Sequence, residues 1–180
     1  MVPVDERERL NLFEQTMLPH LDAAYNLARW LAGNDHDAQD VTQEASLRAF
    51  KFFGSFRGEN ARAWLLTIVR NTFYNWLRKN RPPEIAGELD DEAMMVEDVS
   101  VNAEAINLRL ADAETVQRAI TELPVEFREI VVLREMEGFS YKEIADLSDV
   151  PIGTVMSRLA RARKQLQKNL AGEFQTGGTK

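Results

Sequence analysis

The segment with the clearest potential for chemistry is GTVMSRLARARKQLQK, residues 153–168. It carries five arginine and lysine side chains and no acidic one, in a chain whose formal net charge is −7. Guanidinium and ammonium groups bind phosphate, and an arginine can also donate two hydrogen bonds to the edge of a guanine. A segment free of acids in an otherwise acidic chain indicates a negatively charged partner, and a nucleic acid fits this description.

Helical spacing sorts the side chains of this segment onto two sides. At about 100° per residue, the side that packs inward is apolar and comprises Val155, Leu159, Ala162, Leu166 and Leu170. The other side carries hydroxyl groups first and cations later, and its candidates for DNA contact are Thr154, Ser157, Arg158, Arg161 and Lys164. A short helix over 140–147 and a turn of about three residues precede it, and together they predict a helix-turn-helix. The alternative is an amphipathic helix with ordinary surface cations.

A second basic block lies in residues 46–83, with eight arginine and lysine residues against one acid. The pattern predicts a helix from Ala61 to the residues before Pro82, and one stripe of it mixes cations, an amide and an aromatic ring. This composition is typical of a surface that holds a nucleic-acid backbone and accepts an unpaired base. The alternative is that the aromatic rings pack in the core. The candidates are Phe56, Arg57, Gly58 and Asn60 in the preceding loop SFRGEN, and Arg70, Asn71, Tyr74, Arg78 and Lys79 on the helix.

The helix predicted over residues 37–52 has a face of another kind. Glu44 and Arg48 stand four residues apart, a spacing at which opposite charges support a helix. One interpretation is a solvated face, and the other is a docking face for the helices of a partner protein. The candidates for such docking are Asp37, Asp40, Gln43, Glu44, Leu47 and Arg48.

Several classes of protein lack their usual signals in this sequence. There is no cysteine, and the two histidines, His20 and His36, stand apart. No glycine-rich phosphate loop and no Ser/His/Asp set occurs, so we expect no catalytic residue, no metal, no cofactor and no enzymatic activity. The charged N-terminus and the lack of a long apolar run favour a cytoplasmic protein without membrane insertion.

Helical periodicity dominates the chain and strand signals are weak, so the predicted fold class is all-α. Residues 84–114 carry ten acids and one arginine. Their weak periodicity and lack of aromatic residues favour a linker. We therefore predict a first helical domain over 8–83, an acidic flexible linker over 84–111, and a second helical domain over 112–172 that contains the helix-turn-helix. Ser140 and Glu143 have the spacing of a capping box at the start of its shorter helix.

Taken in order, these segments resemble an extracytoplasmic-function sigma factor of bacterial RNA polymerase. DAQDVTQEASLRAF resembles the segment with which that family binds the clamp helices of the largest polymerase subunit. FRGENARAWLLTIVRNTFYNWLRK resembles the segment that melts and reads the −10 promoter element. The region from Leu123 to Leu166, which includes SYKEIADLSDVPIGTVMSRLARARKQL, resembles the domain that reads the −35 element.

The resemblance implies a role for each group of candidate residues. The loop from Phe56 to Asn60 would accept a base flipped from the non-template strand, and the cationic stripe of the following helix would hold the edge of the melted DNA. Ser157, Arg158 and Arg161 would face the −35 duplex, with Thr154 at a phosphate. Many family members carry a cation at the position of Met156, so this departure bears on the −35 base preference.

The resemblance also implies partners: core RNA polymerase, promoter DNA and an anti-sigma factor that restrains the protein. Two other classes remain open from the residues themselves. One is a helix-turn-helix transcription regulator that binds duplex DNA without polymerase. The other is a sigma-like mimic that sequesters an anti-sigma protein and never touches DNA.

Overall fold

The computed structural model describes residues 5–80 and 113–176, with side chains as far as residue 172 in the last helix. Every regular element in these two ranges is helical, which confirms the predicted all-α fold. The described residues form two compact units, one in each range. The predicted linker, 84–111, lies outside the described residues.

The described part of the first unit, residues 5–80, contains four α-helices. A short 3₁₀ turn joins the first helix to the second, and another follows the third. The helices are α1 (Glu6–Met17), α2 (Leu21–Ala32), α3 (Asp35–Phe52) and α4 (Ala61–Asn80). Helix α1 was not predicted as an element, because its apolar residues are few and irregularly spaced.

Helices α2, α3 and α4 pack against one another around the core of the first unit. The buried row of α3 is made of small side chains, Ala38, Val41, Ala45 and Ala49. Small residues let helix backbones approach closely, so larger side chains of the neighbouring helices fill the core. The largest of these are Leu27 on α2 and Leu65, Leu66 and Phe73 on α4.

The junction between α2 and α3 is fixed by local capping. Gly33 ends α2 with a φ of 80°, a left-handed conformation that glycine adopts without strain. The Asn34 side chain accepts a hydrogen bond from the Asp37 backbone N–H at 2.9 Å and so caps α3. The Tyr25 hydroxyl donates to the Asp35 carboxylate at 3.2 Å, and partial burial together with this carboxylate raises the pKa of Tyr25.

The second unit also has four α-helices in its described part, with a π-helical segment at Val132–Met136 between the second and the third. The last of them is the longest, and the other three all pack against it. Within the described residues no helix is both long and apolar enough to cross a bilayer. The helices are α5 (Ala113–Thr121), α6 (Val125–Val131), α7 (Tyr141–Ser148) and α8 (Ile152–Thr176).

A buried carboxylate ties the helices of the second unit together. Glu129 on α6 is 0% exposed, and its Oε1 accepts a hydrogen bond from the Ser148 hydroxyl at 2.8 Å. A carboxyl group this deep needs hydrogen bonds in place of the lost water. Arg163 on α8 forms an ion pair with Glu135 at 2.7 Å and so fixes α8 against the π-helical segment.

Candidate nucleic-acid interface

An aromatic cluster holds the loop that the sequence predicts to accept a base. Phe53 and Phe56 stack at 5.9 Å between ring centroids, and Phe56 lies 5.3 Å from Trp64 on α4. Phe13 on α1 meets Phe53 edge to face at 5.3 Å. Aromatic pairs at these distances stabilise beyond their buried area. The Phe56 ring is therefore held against Phe53 and Trp64, and its orientation is constrained.

A cavity of about 720 Å³ opens beside this cluster. Three of the four candidate residues of the loop, Phe56, Gly58 and Asn60, line it, whereas Arg57 does not. Sequence reasoning missed the wall that α1 contributes, because α1 lies about forty residues earlier in the chain. The additional lining residues are Arg9, Leu12, Thr16, Phe53, Gly54, Glu59 and Ala61.

The loop keeps its shape through Gly58 and Asn60. Gly58 has a φ of 80°, and a Cβ atom added there would meet nothing within 4 Å. The glycine is therefore required by the backbone conformation. Asn60 Oδ1 accepts a hydrogen bond from the Ala63 backbone N–H at 3.0 Å, so Asn60 also caps α4.

The predicted polar stripe of α4 forms one continuous surface. The Arg70 guanidinium lies 4.6 Å from the centroid of the Tyr74 ring and contacts Asn71 Oδ1 at 3.4 Å. Arg78 donates a hydrogen bond to Asn75 Oδ1. Asn75 was not among the candidates predicted from the sequence. A shallow pocket of about 450 Å³ is lined by Arg70, Asn71, Tyr74, Asn75 and Arg78. Lys79 is exposed and lies outside this lining.

Helix α3 presents the predicted docking face on the side opposite its buried row. Glu44 Oε1 and Arg48 Nε are 2.7 Å apart, which confirms the predicted ion pair. Leu47 lies between them in sequence and is 63% exposed. An exposed leucine surrounded by charged and amide groups resembles the centre of a protein–protein contact, where an apolar side chain inserts inside a polar rim. The other candidates, Asp37, Asp40 and Gln43, are half-buried or exposed on the same helix.

The first turn of α3 also brings an imidazole near two carboxylates. His36 Nδ1 lies 3.5 Å from Asp37 and 3.7 Å from Asp40. Within the described residues this is the group whose atoms are close enough to hold a metal ion. Helical spacing and the preference of acids for a helix N-terminus explain the proximity, so it gives no reason to revise the prediction of no metal site.

Helices α7 and α8 form the predicted helix-turn-helix. The Ser140 hydroxyl accepts from the Glu143 N–H at 3.2 Å, and Glu143 Oε2 accepts from the Ser140 N–H at 2.8 Å, which confirms the capping box. Helix α7 ends at Ser148 and is capped by Asp149, which has a φ of 54°. The carbonyl of Pro151 accepts from the Thr154 N–H at 2.9 Å, and α8 begins at Ile152, directly after this proline.

The predicted apolar side of α8 is buried, and its polar side faces outward. Val155, Leu159, Ala162, Leu166 and Leu170 are all among the buried core residues. On the opposite side Arg161 and Lys164 are exposed, and Thr154, Ser157 and Arg158 are half-buried. The Ser157 hydroxyl donates to the Thr154 carbonyl at 3.1 Å. The structure thus brings the five candidates onto one outward surface of one helix.

Comparison with known proteins matches both units to one family. Residues 17–82 match the model of Sigma-70 region 2, and residues 113–166 match that of Sigma-70, region 4. The chain is 37% identical over 142 residues to the ECF RNA polymerase sigma-E factor of Escherichia coli K12, with 74% of each protein covered. It is 35% identical over 164 residues to the ECF RNA polymerase sigma factor SigE of Mycolicibacterium smegmatis, which covers 88% of this chain and 62% of that longer protein.

A solved structure supports the same assignment. The sigma factor RpoE of Bartonella quintana, in complex with the anti-sigma factor NepR, is 32% identical to this chain with a TM-score of 0.67. The match covers 88% of this chain and 96% of that one. Together with the two region models and the sigma-E relative, it shows that this chain belongs to the extracytoplasmic-function sigma factors of bacterial RNA polymerase.

Proposed function

We propose that this protein directs core RNA polymerase to promoters that contain a −10 and a −35 element. The observation that carries the proposal is the presence of three features in one chain: a cavity lined by loop residues before α4, a cationic stripe farther along α4, and a helix-turn-helix with a cationic outer face. The cavity and the stripe suit single-stranded DNA, and the helix-turn-helix suits a duplex groove. A protein that opens promoters needs both, because it meets the same DNA in two forms.

The first unit recognises the −10 element. A base unstacked from the non-template strand enters the cavity beside Phe56, where the ring wall and the backbone around Gly58 enclose it. Extruding a base costs a few kcal/mol, which stacking and edge contacts recover. Arg70, Asn71, Tyr74 and Arg78 hold the DNA backbone, and the exposed Arg57 and Lys79 add positive charge in the loop and at the end of α4.

The face of α3 around Leu47 binds the clamp helices of the largest polymerase subunit. Glu44 and Arg48 flank this leucine as a preformed ion pair, and Asp37, Asp40 and Gln43 supply the polar rim. The acids of this face would repel DNA, whereas the basic stripe of α4 attracts it. The first unit therefore has separate faces for protein and for nucleic acid.

The second unit recognises the −35 element as a duplex. The hydroxyl groups of Thr154 and Ser157 lie in the first turns of α8, where the second helix of a helix-turn-helix approaches base edges and phosphates. Arg158 and Arg161 reach bases or phosphates farther along, and Lys164 neutralises a phosphate. The acid-free sequence from Val150 to Gly172 favours this contact over its whole length.

Membership of the family also supports a proposal for regulation and location. The neighbour in Bartonella quintana was solved with an anti-sigma factor, and we propose that an anti-sigma factor also restrains this chain. We assign it no enzymatic activity of its own, because promoter selection needs binding energy only. The site of action is the cytoplasm, where polymerase and promoter DNA are found. The domain boundaries at 83 and 112 remain part of this proposal.

The experiment is transcription from a library of random promoter DNA by core polymerase, with and without the purified chain. Initiation that depends on the chain and converges on a shared two-part sequence would support the proposal. Specific binding to duplex DNA without any effect on polymerase would instead identify a regulator that acts without core. Binding to core or to an anti-sigma protein without initiation would identify a sigma-like mimic.

A further inference from the structure

The first turns of α8 expose two large apolar side chains. Ile152 is 49% exposed and Met156 is 41% exposed. They stand four residues apart, so their Cβ atoms are neighbours on the helix surface, about 5–6 Å from each other. In the described part of the second unit the other exposed side chain of this kind is Met136, in the π-helical segment. A partner with an apolar group would remove this pair from water.

The position of Met156 on α8 indicates which part of a bound DNA duplex it would contact. It precedes Ser157 in the helix, about 100° away around the axis, and neither lies on the buried side of Val155 and Leu159. A helix with its side chains is about 10–12 Å wide and the major groove is about 12 Å wide. A helix inserted there meets DNA around the whole of its exposed arc. Met156 lies about 100° from Ser157 and about 140° from Arg161 around the axis. When those two side chains face the floor of the groove, Met156 therefore lies toward one of its walls.

The positive charge of the surrounding helix indicates that the partner of Ile152 and Met156 is DNA. Residues 150–172 contain five arginine and lysine side chains and no acid. Base edges in the major groove present hydrogen-bonding groups and one large apolar group, the C5-methyl of thymine. Methionine has no hydrogen-bond donor with which to read guanine, and its flexible thioether adapts to an apolar partner.

We propose that Met156, supported by Ile152, reads the methyl group of a thymine in the upstream promoter element. The proposal rests on the proposed function of the second unit and adds to it a base preference for one position. Contact removes the methyl group and the thioether from water together. Loss of one buried methyl group corresponds to about a fourfold loss of binding.

The test uses the full chain with core polymerase and a promoter selected from the random library. Each thymine of the upstream element, on either strand, is replaced singly by deoxyuridine, which removes the methyl group and leaves the base pair intact. Abortive transcript yield and competition binding are measured. With the wild-type chain we expect deoxyuridine at one position to lower transcript yield and binding about fourfold. With Met156→Ala we expect no loss at that position, because the partner of the methyl group is gone.

Met136→Ala is the matched control, since it removes a similarly exposed methionine outside α8 and should keep the full deoxyuridine effect. The proposal is wrong if the selected upstream element contains no thymine, if no deoxyuridine has an effect, or if Met156→Ala keeps the wild-type effect. It is also wrong if Met156→Ala weakens thymine and deoxyuridine promoters equally. If transcription does not depend on the upstream element at all, the proposed function of the second unit fails instead.

Discussion

Arg9 connects the first helix of the chain to the C-terminal end of the third. Its Nη2 donates to the Phe50 carbonyl oxygen at 2.9 Å and to that of Lys51 at 3.2 Å, and its guanidinium lies 5.2 Å from the Phe50 ring centroid. The last carbonyls of a helix have no partner within the helix, and a positive charge is favourable there. The loop proposed to accept a base follows α3, so Arg9 stabilises the helix end that precedes this loop.

We predict that Arg9→Ala lowers the free energy of unfolding of the first unit by about 2 kcal/mol, the usual contribution of charge-assisted hydrogen bonds. All three tryptophans, Trp30, Trp64 and Trp76, belong to this unit, so tryptophan fluorescence during urea unfolding reports on it selectively. Arg7→Ala is the control, because Arg7 is exposed on the same helix and should change stability by less than about 0.5 kcal/mol. Equal effects of the two variants would contradict the connecting role of Arg9.

Two substitutions of Asn60 separate its capping role from its contact with DNA. Asn60→Ala removes the cap of α4 and should cost about 1 kcal/mol, whereas aspartate caps equally well. We expect both variants to change base selection at one position of the −10 element, because aspartate lacks the amide donors. The measurements are urea unfolding and transcription from the library. If Asn60→Asp keeps wild-type selection, the residue serves only as a cap.

Polymerase binding is predicted to depend on Leu47. Leu47→Ala should weaken binding to core polymerase about tenfold, the effect of truncating an apolar residue at the centre of an interface. Stability should not change, because the side chain is already exposed. Binding is measured by competition for core polymerase against a labelled sigma factor. Leu18→Ala removes an equally exposed leucine outside α3, and a similar loss there would contradict a specific docking face.

The buried pair of Glu129 and Ser148 is predicted to stabilise the second unit. Ser148→Ala removes one donor from a fully buried carboxylate and should cost about 1–3 kcal/mol. Hydrogen exchange of the α6 and α7 amides measures this loss. Thr121→Ala is the control, because the exposed Thr121 hydroxyl bonds only its own helix. If exchange in α6 and α7 is unchanged by Ser148→Ala, the buried hydrogen bond does not hold the two helices.

Local patterns in the sequence were sufficient to predict the helix-turn-helix. The capping box at Ser140 and the alternation of sides along α8 depend on residues within two turns of one another. The stripe from Arg70 to Arg78 and the ion pair of Glu44 with Arg48 were predictable for the same reason. In each case the spacing of the helix determines which side chains are neighbours.

Most of the features that the sequence did not predict depend on contacts between distant parts of the chain. The α1 wall of the cavity could not be predicted, because Arg9 and Phe50 are 41 residues apart and α1 has a weak apolar pattern. The buried position of Glu129 was also missed, since its partner Ser148 comes from another helix. Asn60 was identified as a candidate for DNA contact, but its capping bond to Ala63 was not anticipated.

The central claim is that the two units read two separate promoter elements within one initiation event. The most direct test is to repeat the library transcription with Arg161→Ala and with Asn60→Asp, and to compare the selected sequences position by position. We predict that Arg161→Ala weakens base preference only in the upstream element, and that Asn60→Asp changes it only in the downstream element. The claim would be contradicted if either variant altered both elements equally, or if neither altered the selected sequence.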